Sequence, residues 1–232
     1  MRESDLEALR SLHLFEKMSA RHLERLTRPA SLQRYPQNTL LISEGDKPDF
    51  LHVLIEGCVE LFASHNERHT TIDVIRPTTT FILAAVILDQ PYLKSAKTLL
   101  ESRVLLLPAE AVRAVFREDS HFAYAVVAEL SERYRSVVKL LKDQKLRLTP
   151  ERLANWLLKT CSRQESSGAI TLDFEKKTLA SLLGTTPENL SRALSQLETV
   201  GVMTAGRKIT ITDKDMLVTF AKPSPLIDDP AC

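Results

Sequence analysis

The sequence predicts an α+β chain in three parts: an N-terminal roll of short strands, a long helix, and a C-terminal winged helix-turn-helix. Three observations predict it. From about residue 30 to 107, short β-branched and apolar runs are punctuated by turn residues. Residues 119–148 then carry apolar side chains at spacings that alternate four and three. Beyond Pro150, a helix–glycine–helix pattern is followed by "GVMTAGRKITITD", which reads as a hairpin turning at Ala205-Gly206.

Taken in order, "SDLEALRSL" and "SARHLERLTRPA" read as short helices, capped by Ser4 and Ser19. The strands follow as "SLQRY", "TLLI", "FLHVLIEG", "CVELFAS" and "HTTIDVI", with turns at Asn38, Gly45-Asp46, Gly57 and His65-Asn66. Strands this short and evenly spaced suggest a roll or barrel. "FILAAVIL" (81–88) fits either a helix or a buried strand, because periodicity does not decide so short a run. "SAKTLLE" and "RVLLLP" close the roll, and a first domain is expected over 1–118.

The segment 119–148 is expected as a single helix. Ala123, Val127, Leu130, Tyr134, Val137, Leu141, Gln144 and Leu148 form its seam, and Glu129, Glu132, Arg133, Arg135, Lys139, Lys142 and Lys145 occupy the other faces. A core helix would show an amphipathic pattern too, but a strict heptad seam over three repeats favours pairing with a second copy. The expected dimer interface is Val127, Leu130, Tyr134, Val137 and Leu141, with the polar Gln144 fixing register. Thr149 is expected as the next cap, with Pro150 at the first helical position. "ERLANWLLKTC" continues as a helix, "QESSGA" as a loop, "ITLDF" as a strand and "EKKTLASLLG" as a helix, within a second domain over 149–222. The proline-rich 223–232 is expected as a flexible tail.

Composition narrows the function. The 232 residues are 44% hydrophobic and 26% charged, as in a globular protein with a sizeable core. No apolar run approaches a bilayer span and the N-terminus lacks a signal pattern, so the expected location is cytoplasmic, without a membrane partner. Cys58, Cys161 and Cys232 form no C-x-x-C pair, which argues against disulfides, a structural zinc or an iron–sulfur cluster. No P-loop, G-x-G-x-x-G or metal-spaced histidine pair appears, so the chain is not expected to be an enzyme. "HNERH" (65–69) falls in a hairpin and reads as a polar turn. A net charge of +1 gives no global sign of nucleic acid, so any footprint must be local.

That footprint lies in "TTPENLSRALSQL" (185–197). Gly184 supplies a tight turn, Thr186 a cap and Pro187 the first helical position. Leu190, Ala193, Leu194 and Leu197 face inward, while Glu188, Ser191, Arg192 and Gln196 face outward. Arginine forks onto guanine O6 and N7, and glutamate accepts from cytosine N4. Thr186, Glu188, Asn189, Ser191 and Arg192 are therefore candidate contacts to double-stranded DNA, with Lys176, Lys177, Arg207 and Lys208 on phosphates. The bland alternative is an i,i+4 ion pair between Glu188 and Arg192 at a solvated helix start.

Roll, long helix and winged helix-turn-helix, in that order, resemble the bacterial Crp/Fnr transcription regulators, and "ENLSR" (188–192) is similar to the Glu-x-x-Ser-Arg signature of the Fnr-type recognition helix. The resemblance implies a homodimer on a TTG-N8-CAA-like palindrome and, for an activator, contact with RNA polymerase. Pro187 stands where the cyclic-AMP receptor type carries another arginine. The nucleotide-binding roll of that type has a Gly-Glu-Leu and an Arg-Ser-Ala segment; here Leu83-Ala84-Ala85 and Lys94-Ser95-Ala96 stand in their places, so cyclic AMP is not expected. Ala84, Lys94 and Ser95 mark the altered effector pocket. "TPENLSRAL" and "LLLPAEAVRAVF" resemble the NnrR, Nnr and Dnr branch, which implies nitric oxide sensing, control of denitrification genes and a haem. Of His13, His22, His52, His65, His69 and His121, His13 is the preferred ligand. A FixK-like regulator with no effector, and a cyclic-nucleotide-binding regulatory module, are the alternatives.

Overall fold

The computed structural model describes residues 3–164 and 168–229, which divide into two compact units that part between Arg133 and Tyr134. The first unit opens with α1 (Glu3–Arg10), α2 (His13–Glu16) and α3 (Ala20–Thr27). The roll follows with β1 (Ser31–Tyr35), β2 (Leu40–Ile42), β3 (Phe50–Glu56), β4 (Val59–His65), β5 (Arg68–Ile75) and β6 (Thr79–Phe81). It ends with α4 (Leu83–Leu88), β7 (Ser95–Thr98), β8 (Ser102–Pro108) and α5 (Ala109–Glu118), before α6 (Ser120–Leu146) begins. Two antiparallel four-stranded sheets face each other, in the orders β1-β8-β3-β6 and β2-β7-β4-β5.

β3 is buried without interruption from Leu51 to Ile55, because both of its faces are covered. Leu54 packs inside the roll with Val59, Leu61, Phe81 and Val104. Leu51 and Val53 pack on the other side, against Leu9, Phe15, Leu26, Val112 and Phe122 from the helices. Phe15 stacks on Phe122 with ring centroids 5.9 Å apart. Ser19 caps α3 as expected, accepting from the His22 N–H. Asp119 is buried at the start of α6, where it accepts from the Phe122 N–H at 3.0 Å and from His22 Nδ1 at 2.8 Å. Arg103 ties α1 to the roll through Asp5 at 2.7 Å and through Glu56.

The second unit holds the C-terminal part of α6, then α7 (Thr149–Arg163), β9 (Ala169–Thr171), α8 (Lys176–Leu182) and α9 (Pro187–Glu198). The hairpin β10 (Val202–Ala205) and β11 (Lys208–Ile211) joins β9 in a three-stranded sheet, and α10 (Lys214–Ala221) and α11 (Pro225–Asp228) complete the unit. Leu153, Leu157, Ile170, Leu179, Leu197, Ile209 and Leu217 are fully buried.

Several sequence expectations change. Ser4 lies inside α1 rather than ahead of it, and the cap expected from its side chain lies outside the described residues. Half of the loop expected at "QESSGA", residues 165–167, lies outside them too, as does Cys232. "FILAAVIL" yields β6's last residue and the helix α4, bracketed by left-handed Ile82 and Asp89, with Leu83 and Val86 buried one turn apart. The cap of α7 is Leu148, not Thr149. Glu151 accepts the Leu148 N–H at 2.9 Å, which satisfies that orphan donor from inside the helix. The wing turns at Gly206-Arg207, since Ala205 pairs with Lys208.

The tail expected to be flexible is a further correction, because residues 224–229 form α11 and its flanks. Ile227 is buried, and Asp228 bonds Arg147 and Lys159. Burial pushes the Asp228 carboxyl up, but Arg147, the Ser224 N–H and Lys159 outweigh it and hold it at about 2.

A candidate nucleic-acid interface on α9

Thr186 caps α9 by accepting the Asn189 N–H at 3.3 Å, and Pro187 takes the first helical position. Leu190, Ala193, Leu194 and Leu197 are buried, which leaves Glu188, Asn189, Ser191, Arg192, Ser195 and Gln196 on an exposed face. Gly184 supplies the turn before it with φ +62, a conformation that favours glycine. The Gly184 N–H bonds the Ser181 carbonyl and the Thr185 N–H the Ala180 carbonyl, closing the end of α8.

Glu188 sits below the usual carboxylate range. Its own backbone N–H is the largest cause, followed by the Thr186 hydroxyl and, more weakly, the charge of Arg192. Glu188 and Arg192 nevertheless form no ion pair among the described residues, and Arg192 makes no hydrogen bond there. The acid is held back over the helix start while the guanidinium is left available. Lys177 is exposed, 3.4 Å from Glu175, and Lys176 is half-buried. Arg207 and Lys208 are exposed at the wing tip, where the Arg207 carbonyl accepts from Leu172 at 3.0 Å. Cations thus stand on both α8 and the wing, in the same unit as the polar face of α9.

Arg152 on α7 escaped the sequence reading. Its guanidinium donates to the carbonyls of Gln144 (3.3 Å) and Arg147 (3.1 Å), to Thr149 Oγ1 (3.2 Å) and, at 3.5 Å, to the Gly184 carbonyl. Its Nε is buried and has no partner among the described residues. The side chain therefore ties the end of α6 and the start of α7 to the turn that precedes α9. In the sequence it is one arginine among many.

Along α6, Val127, Tyr134, Val137 and Leu141 are exposed, by 57%, 71%, 61% and 49%. Leu130 instead packs partly against the first unit's core. The Gln144 amide lies at the Gly184 turn, 3.2 Å from where a Cβ would stand. Leu148 falls beyond the end of α6.

In the roll, Leu83 is buried in the helix-facing core, and Ala84 is exposed on α4 with no group that could accept a ribose hydroxyl. Ser95 is buried and its hydroxyl accepts the Glu44 N–H at 2.9 Å. Lys94 is half-buried. Burial lowers its amine, Asp73 opposes this and Arg133 adds to it.

The histidines sort by environment. His52 is buried, donates Nδ1 to the Phe50 carbonyl at 3.1 Å and lies against Phe81. His22 engages Asp119, and His69 lies 3.6 Å from Glu60 and against Phe62. His65, His121 and His13 are exposed. His13 lines a cavity of about 100 Å³ with Leu12, Leu14, Thr78, Thr79, Thr80, Glu129 and Arg133. A haem needs an apolar slot at least as large as the roughly 300–1,000 Å³ of ordinary ligand pockets. This small polar cavity does not fit one. Cys58 and Cys161 are buried thiols.

Comparison with known proteins agrees with this architecture. Residues 32–119 match the cyclic nucleotide-binding domain family, and residues 151–220 match the Crp-like helix-turn-helix domain family. The chain belongs to the Crp/Fnr family. A CRP-like cAMP-activated global transcriptional regulator of Mycobacterium tuberculosis is 23% identical over 93% of this chain and 99% of its own. The structure of FixK2 from Bradyrhizobium japonicum superposes with a TM-score of 0.75 at 21% identity, covering 84% of this chain and 98% of FixK2. DNR from Pseudomonas aeruginosa gives 0.53 at 23%, covering 95% and 99%. These two likenesses speak for the fold. As a Crp/Fnr-type protein the chain is a DNA-binding transcription regulator, in a family of regulators rather than enzymes.

Proposed function

We propose that this Crp/Fnr-type regulator acts as a homodimer reading a TTG-N8-CAA-like palindrome, with Arg192 on the guanine of each half-site. The observation that carries the reading is the exposed Arg192 guanidinium, which makes no protein hydrogen bond or ion pair among the described residues and stands beside Glu188 and Ser191 on the N-terminal half of α9. Recognition helices of this class present those first turns to base edges in the major groove. The exposed seam on α6 supports the second copy, and a two-fold pair accounts for a palindrome.

The roll is read as one that does not answer to a cyclic nucleotide. Leu83 occupies core space and Ala84 offers no acceptor. Control of denitrification by nitric oxide is implied by the resemblance alone, and the cavity beside His13 is too small and too polar to place a haem there.

Arg192→Ala is expected to cost about 1–3 kcal/mol on the palindrome and to relax the preference for its guanine. Fluorescence anisotropy at one fixed salt concentration, with the guanine intact and replaced, measures both effects. Equal binding by variant and wild type would overturn the assignment.

A further inference from the structure

The segment 224–229 is held by cations from two helices. Asp228 receives Arg147 at 2.9 and 2.5 Å and Lys159 at 3.0 Å, and accepts the Ser224 N–H at 2.7 Å. Three carbonyls of the same segment are bonded as well: Leu226 by Lys142 at 3.2 Å, Ile227 by Lys159 at 3.3 Å and Asp229 by Lys139 at 2.7 Å. Lys139, Lys142 and Arg147 come from α6 and its end, Lys159 from α7, so the segment bridges both arms of the elbow between these helices. The side chains of Arg147 and Asp228 are only 8% and 11% exposed, and Ile227 fills the space beside them.

The elbow leads directly to the reading head. The Arg147 carbonyl accepts from Arg152, whose other arm reaches the Gly184 carbonyl, two residues before the cap of α9. Any change in the angle between α6 and α7 moves α9 relative to the axis of α6. In a two-fold dimer built along α6, each protomer repeats that movement, so the separation of the recognition helices changes by both.

We propose that residues 224–229 form a clasp that fixes this elbow, and that Asp228 is a positioning residue for DNA recognition, setting the half-site spacing the dimer accepts. The proposal rests on the palindrome reading for its DNA readout but not for its structural one.

Binding is measured on TTG/CAA palindromes with the N8 spacer and with spacers one base pair shorter and longer. Coupled sites typically influence one another about 5- to 150-fold. Asp228→Asn is therefore expected to lose about fivefold or more of the wild-type preference for one spacer, with the preference for guanine at TTG unchanged. Asp228→Glu restores the spacer preference. Lys139→Ala/Lys142→Ala, which frees the segment from α6 without touching the buried carboxylate, shifts it in the same direction and covers the case in which Asp228→Asn does not fold.

Amide exchange over residues 143–152 is followed in the same proteins and is expected to speed up when the clasp is released. Uniform loss of affinity on every spacer, or exchange identical to wild type in both variants, overturns the clasp. If the wild type shows no preference for the palindrome, the DNA-site reading falls and the exchange data alone decide the clasp.

Discussion

His52 shows how much one residue's surroundings determine. Burial drives its imidazole down to about 4, against a small opposing contribution from the bond to the Phe50 carbonyl. An unfolded histidine titrates near 6.5, so between about pH 6.5 and 4 the unfolded chain binds the extra proton. The stabilisation is complete above about pH 6.5 and erodes as pH falls toward 4, by up to about 3 kcal/mol. Urea denaturation at several pH values across that window measures the slope. His52→Leu should flatten it, and parallel slopes in variant and wild type would show that His52 is not its source. At this scale, legibility follows sequence distance. The Thr186 cap and the Gly184 turn could be read because their partners lie within a few residues, at Asn189 and Ser181. Arg152 could not, because its side chain reaches back to Gln144 on α6 and across to the Gly184 turn, 8 and 32 residues away.

Among the elements, α6 and α9 are the ones to which the proposed function is assigned, and both were legible from strong periodicity. α4 was not, since six residues are too few for a period, and neither were the four-residue α2 and the three-residue β6. The tail misled because its prolines suggested disorder, whereas Pro225 stands in the first turn of α11, where a missing N–H costs nothing. The seam of α6 supports a direct prediction. Covering the exposed half or so of Val137 and Leu141 against a second copy gains about 1–1.5 kcal/mol for each side chain. Val137→Asp places a charge in that seam and should turn dimer into monomer in sedimentation velocity, with palindrome binding lost in parallel. A variant that remained dimeric would move the interface away from this face.

For the molecule as a whole, 31 basic and 30 acidic residues leave almost no net field to attract DNA. On the proposed reading, attraction comes from where the cations stand, on α8 and at the wing tip. Lys208→Ala should therefore weaken binding to all sequences alike and reduce the slope of log K against log salt by about one. A sequence-dependent loss at unchanged slope would place Lys208 on a base instead. The three-part architecture was readable because each part has its own period, two residues in the roll, 3.5 in the long helix and 3.6 in the C-terminal domain. What could not be read was how one part is fastened to the next, since Asp228, Arg147 and Lys159 meet only in the folded chain.

If the proposed dimer pairs through the uncovered seam on α6, that seam also sets how a promoter counts molecules. Where dimers are scarce, the concentration of paired chains rises as the square of total chain number, so halving synthesis lowers operator occupancy about fourfold rather than twofold. On that reading a single exposed row of valine, leucine and tyrosine makes transcriptional output respond to the dose of the regulator as well as to its state.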